Sequence, residues 1–226
     1  MPVRPLKTNA VRKPGRPKDP DLELRRKAEI LAVAASVFAR TGYAETDVQV
    51  VADQVGVGKG TIYRYFPTKK ELFLAAVDQG LNELMHVVDA VILNEALRPL
   101  ERFAGAMRAY LTFFAARPEM VELFIQERAA FRDRHQPLYF APKFDERCEA
   151  TDRFVLGLIE SGILRNLRLE HLRDVLSDLL YGTILTNSFT GRKSDPSAQT
   201  DVILNIVFLG ILGDRERRNH LKRAKA

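Results

Sequence analysis

A single cysteine, Cys148, in 226 residues rules out an internal disulfide and suits a reducing compartment, where a lone thiol is an ordinary packing residue. Metal-ligand clusters are lacking too. His86, His135, His171 and His220 stand far apart, with no cysteine or carboxylate at ligand spacing, so neither a zinc site nor a histidine-based triad is signalled. Catalytic residues, cofactors and metals are therefore assigned to none. No apolar run approaches the ~20 residues that a membrane-spanning helix needs; the longest, Val202 to Gly213, is too short and contains Asn205. The basic N-terminus leads into no apolar segment of the secretory kind, so the expected location is the cytoplasm. No stretch alternates as a strand would, and no internal repeat is visible. The reading is all-α.

What the chain does have is enough apolar content for a core, 46%, in one large or two small domains, and an uneven charge. The net charge is +6, yet residues 1 to 70 hold 14 Lys or Arg against 7 Asp or Glu, so the remainder is close to neutral. Positive charge gathered in one third of a chain is the footprint of a polyanionic partner.

Residues 1–24 carry Pro2, Pro5, Pro14, Pro17 and Pro20 with few large apolar side chains, and read as a disordered basic arm. Within it, Lys13 to Lys18 reads KPGRPK, whose Gly-Arg-Pro core resembles an AT-hook. Arg16 is the candidate for the minor groove of A·T-rich DNA, and a plain solubilising tail is the alternative. From Leu24 to Thr41, Ile30, Leu31, Ala34, Val37 and Phe38 recur at helical spacing and Gly42 ends the helix. Next come two short periodic segments around Ala52 and Gly56, spaced as a helix-turn-helix. Thr46 with Gln49 reads as a capping box for the first helix, and Thr68 with Glu71 for the helix after the unit.

The second helix, KGTIYRYF, is short, basic and aromatic. Ile62 and Phe66 share its inward face, which leaves Lys59 and Arg64 to reach base edges, Gly60 to let backbone approach, and Thr61, Tyr63 and Tyr65 to meet phosphates. A rival lies in GVGKGT, Gly56 to Thr61, which looks like the tail of a nucleotide-binding loop. That loop needs a buried strand upstream and a glycine where Asp53 stands, so the rival is set aside.

The run from Arg25 to Leu72 resembles the DNA-binding domain of the TetR family of bacterial transcriptional regulators. It carries Gly42-Tyr43 with Thr46, Ala52 with Gly56, and Gly60-Thr61, Tyr63, Phe66 and Lys69. Two positions depart from the family pattern, since Gly58 and Asp47 both stand where a hydroxyl is common. Glycine caps a helix nearly as well, whereas a carboxylate mildly repels phosphate. The resemblance implies a three-helix head in residues 25–70, with Thr46 and Lys69 as further phosphate contacts. It also implies an effector-binding and dimerisation domain in residues 71–226.

Helical periodicity continues from Leu72 to Ile92, then over Leu97 to Ala116, Glu119 to Phe131 and Asp145 to Ser161. The last two long helices, Arg168 to Thr190 and Thr200 to Gly213, are apolar over more than one stripe and need partners on two sides. By resemblance, they pair with a second chain. The homodimer sets two recognition helices ~34–36 Å apart, or a multiple, which implies a palindromic double-stranded DNA operator. A small-molecule effector is also implied by resemblance. Met107, Tyr110, Phe114, Phe124, Arg128 and Tyr139 are its candidate contacts, an aromatic set interleaved with cations.

Overall fold

The computed structural model describes residues 20–131, 137–138, 146–192 and 195–223, and among them the only β-type pairing is one isolated bridge between Leu164 and Leu212. Helix α1 spans Pro20–Thr41, starting on a proline with Asp21 and Glu23 in its first turn, both favourable at a helix N-terminus. It therefore takes in residues 20–24, which the sequence assigned to the arm. Gly42, at φ 83°, ends it in the left-handed region that only glycine occupies cheaply. Arg16 and residues 1–19 lie outside the described residues.

Helices α2 (Val48–Val55) and α3 (Lys59–Tyr65) follow, joined by a tight turn in which Gly56 has φ 74°. Upstream of α3 stands a helix, not the strand that a nucleotide-binding loop would require. Helix α4, Lys69–Ile92, opens as expected, with the Thr68 hydroxyl accepting the Glu71 N–H at 3.1 Å. Its buried stripe is the one read from sequence, from Leu72 and Phe73 through Leu84 and Met85 to Ile92. At 1.5 Å per residue the helix is ~36 Å long, enough to carry one end in the head and the other in the body.

The body is built on α5 (Pro99–Ala116), which packs against α4 and against two later helices, Leu169–Thr190 and Pro196–Ile211. Only Arg117 separates it from α6 (Pro118–Ala130), and α6 returns along α4 to α1. Gly80 makes that return possible, because a Cβ there would lie 2.1 Å from the Met120 Cε, and Met120 is 2% exposed. At the far end of α6, Gln126 donates to the Phe38 carbonyl at 2.9 Å. Phe131 closes on Tyr43 (ring centroids 4.8 Å apart) and Phe73 (5.7 Å). Head and body thus share one aromatic joint.

Helices α7 (Glu149–Glu160), α8 (Leu169–Thr190) and α9 (Pro196–Ile211) complete the body. Helix α10, Asp214–Arg223, was not foreseen. Its sequence, DRERRNHLKR, has almost no apolar side chains, so there was no periodicity to read. No helix among the described residues is long and apolar enough to cross a membrane.

Candidate nucleic-acid interface and internal cavity

Helix α3 is held by one deep anchor. Ile62 is fully buried, Phe66 just beyond the helix is nearly so, and Tyr65 is half-buried against the same core. Gly60, Tyr63 and Arg64 are exposed, with Lys59 and Thr61 half-buried beside them. The Arg64 guanidinium lies 5.2 Å from the Tyr65 ring centroid, a cation–π contact that steadies its stem. A Cβ on Gly60 would meet nothing within 4 Å, so the helix start looks onto open space. Of the six non-anchor positions expected to meet DNA, Gly60, Tyr63 and Arg64 are therefore outward, and Lys59, Thr61 and Tyr65 are partly so.

Two residues expected at phosphates also make bonds within the head. Thr46 is 4% exposed; its hydroxyl donates to the Gly42 carbonyl at 2.6 Å and meets the Thr41 hydroxyl. It braces the corner between α1 and α2. It does not cap α2, because the residue before Val48 is Asp47, whose Oδ1 accepts the Gln49 N–H at 2.8 Å. Lys69 is turned inward as well. Its ammonium donates to the carbonyls of Ala44 (2.9 Å) and Thr46 (3.1 Å) and lies 5.0 Å from the Tyr43 ring centroid. The lysine ties the corner to the start of α4. Lys69→Met is expected to lower head stability by about 1–2 kcal/mol, less than a fully buried charged bond would cost. A thermal melt reads this, and an unchanged salt dependence of DNA binding would separate bracing from phosphate contact.

Asp47 carries a second bond that sequence did not suggest. Across the turn, Lys59 Nζ donates to the same Oδ1 at 2.7 Å. The Gln49 N–H and then the Lys59 ammonium hold the Asp47 carboxyl below its ordinary range, and Asp47 in turn raises Lys59. Both groups stay charged at neutral pH.

In the body a cavity of about 350 Å³ opens between α4, α5, α7 and α8. Its walls are mostly apolar, from Leu84, Met85 and Val88 on α4, Phe103, Met107 and Tyr110 on α5, and Val155 and Leu172 opposite. Thr151, Asp152, Arg173, Asp174 and Ser177 interrupt them. Thr151 Oγ1 is buried with no hydrogen-bond partner among the described residues, and Arg173 pairs with Asp152 at 3.2 Å. Of the expected effector contacts, Met107 and Tyr110 line this space. Phe114 instead borders a separate cavity of about 260 Å³ between α5, α6, α8 and α9. Phe124 is core, packed on Phe114 and Tyr181. Arg128 sits exposed in the last turn of α6, where a cation suits the helix dipole, and lines neither space. Tyr139 lies outside the described residues. Among those residues no cluster of His, Cys, Asp or Glu could hold a metal ion.

Residues 30–76 match the family model for bacterial regulatory proteins of the tetR family. The chain is 35% identical over 143 residues to the uncharacterized HTH-type transcriptional regulator YfiR of Bacillus subtilis, covering 61% of this chain and 67% of that one. Against the HTH-type transcriptional repressor KstR2 of Mycobacterium tuberculosis it is 28% identical over 144 residues. That match covers 61% of this chain and 66% of the repressor, just under two thirds of its length. Among solved structures, the fatty acid degradation regulator FadR from Bacillus halodurans has a TM-score of 0.67 at 19% identity, over 84% of this chain and 96% of that one. FadR from Bacillus subtilis, in complex with stearoyl-CoA, has a TM-score of 0.64 at 21% identity, over 79% and 96%. At such identities the likeness concerns the fold.

Proposed function

The chain belongs to the TetR family of bacterial regulatory proteins, and on that premise we propose that it is a homodimeric repressor, reading a palindromic operator through α3 and released by a small-molecule effector. The observation that carries the DNA reading is the orientation of α3, sunk by Ile62 with Arg64, Gly60 and Tyr63 outward. Arg64 reads a base edge, and Lys59 and Gly60 lie at the groove. Thr61, Tyr63 and Tyr65 meet the backbone, and Arg16 in the arm reaches the minor groove. Selecting duplexes from random DNA with the purified protein should yield a two-fold symmetric site. Arg64→Ala should then cost ~1–3 kcal/mol on that site and relax preference at one base position. Equal losses on selected and random DNA would assign Arg64 to phosphate.

The dimer reading rests on two exposed apolar stripes. Val175 and Phe189 on α8 are 64% and 70% exposed, and Val202 and Ile206 on α9 are 61% and 70% exposed. Val175, Leu179, Gly182 and Phe189 follow heptad-like spacing, and so do Val202, Ile206 and Leu209, the pattern that a helical seam requires.

Cavity chemistry selects the effector class. A mainly apolar body fits the walls, with a polar end that reaches the Thr151 hydroxyl and competes for Arg173. Coupling follows from α4, whose Leu84, Met85 and Val88 touch the cavity while Leu72 and Phe73 sit in the head core. A ligand that binds better to the form with mis-spaced heads draws the protein off DNA.

A further inference from the structure

Asp47 links the two halves of the helix-turn-helix through one oxygen, which accepts both the Gln49 N–H at 2.8 Å and the Lys59 ammonium at 2.7 Å. Lys59 is the first residue of α3, and both side chains reach solvent, Asp47 at 61% and Lys59 at 38% exposure. An unpaired lysine at this position would sweep the surface and contact phosphates on any sequence, each contact releasing a counterion. Paired, it can reach a phosphate only by leaving a carboxylate unpartnered beside the polyanion. A carboxylate is not needed for the cap, since Asn and Ser cap a helix as well as Asp does. The charge therefore calls for another explanation.

We propose that Asp47 is a positioning residue that sets sequence specificity: it withholds the Lys59 charge from the phosphate backbone and holds the ammonium at the start of α3 for base contact. This rests on α3 being the DNA-reading helix. It makes Asp47 a device against wrong sites, exchanging affinity everywhere for discrimination.

The test uses the full-length protein and two duplexes, one selected by the wild type from random sequence and one scrambled. Affinity is measured from 50 to 200 mM salt, and a thermal melt monitors the cap. Asp47→Asn keeps the cap and size but removes the charge. It should leave the melt unchanged, steepen the slope of log affinity against log salt on the scrambled duplex by about 1.8, about 0.9 for each of the dimer's two Lys59, and strengthen that binding about twelvefold more at 50 than at 200 mM. The ratio of selected to scrambled affinity should fall. Adding Lys59→Met to Asp47→Asn should return the slope to the wild-type value. A wild-type slope and ratio in Asp47→Asn would overturn the proposal. So would a steepened slope that survives in the double variant, since Asp47 would then act by plain repulsion and not through Lys59. A wild type with no affinity for any duplex would overturn the DNA reading beneath it, a result distinct from both.

Discussion

Phe73→Ala is expected to remove about 3–5 kcal/mol of stability, the usual cost of emptying a fully buried phenylalanine site. Phe73 is 0% exposed and sits at the centre of the aromatic joint. Its ring lies 5.1 Å from both Phe38 and Tyr43 in edge-on geometry and 5.7 Å from Phe131. The void would therefore face α1, the corner and the end of α6 together. A loss of this size is comparable with the whole stability of many domains. The head, being small, should open before the body does. Urea unfolding should show an earlier transition, and hydrogen exchange should quicken first in α1 to α3. A loss below about 1 kcal/mol would mean that the rings close over the gap, and the joint would not be what fastens head to body.

Ile206→Glu should leave the single chain folded, because the side chain is 70% exposed there, yet abolish the pair of chains. In a two-fold dimer both copies would bring an unpartnered carboxylate into the seam, a penalty of several kcal/mol. Sedimentation should give a monomer at micromolar concentration with an unchanged circular dichroism spectrum. Operator affinity should fall by ~10²–10⁴, the factor lost when two linked contacts become independent. The same change at Val87, exposed on α4 outside the α8 and α9 stripes, is the control. An intact dimer in Ile206→Glu would remove α9 from the interface.

Legibility differed from element to element for physical reasons. Helix α4 was readable almost to the residue, since a 3.6 period sustained over six turns admits one buried stripe. The recognition helix was readable from Ile62 and Phe66 for the same reason. Capping was harder at Thr46 and Asp47, two adjacent residues that can both cap. The choice was made by the turn, where the Thr46 N–H bonds the Gly42 carbonyl and turns the hydroxyl inward. The Lys69 bonds escaped notice for a related reason, as its carbonyl partners are 23 and 25 residues away. The cavity was legible only on the α5 side. Its other wall comes from Thr151, Asp152, Val155 and Arg173, which no local pattern marks, because a cavity is volume left between helices distant in sequence.

Helix α4 also limits how such a molecule can vary. It runs unbroken from the head core to the cavity walls, and each residue adds 100° of rotation and 1.5 Å of advance. One inserted residue anywhere along it would swing the whole body about the reading head by more than a quarter turn, and with it the seam of the proposed pair. Length can drift in the connections between helices, but this rod behaves as a gauge block: in the proposed dimer its count of residues would fix where the two heads fall along the duplex.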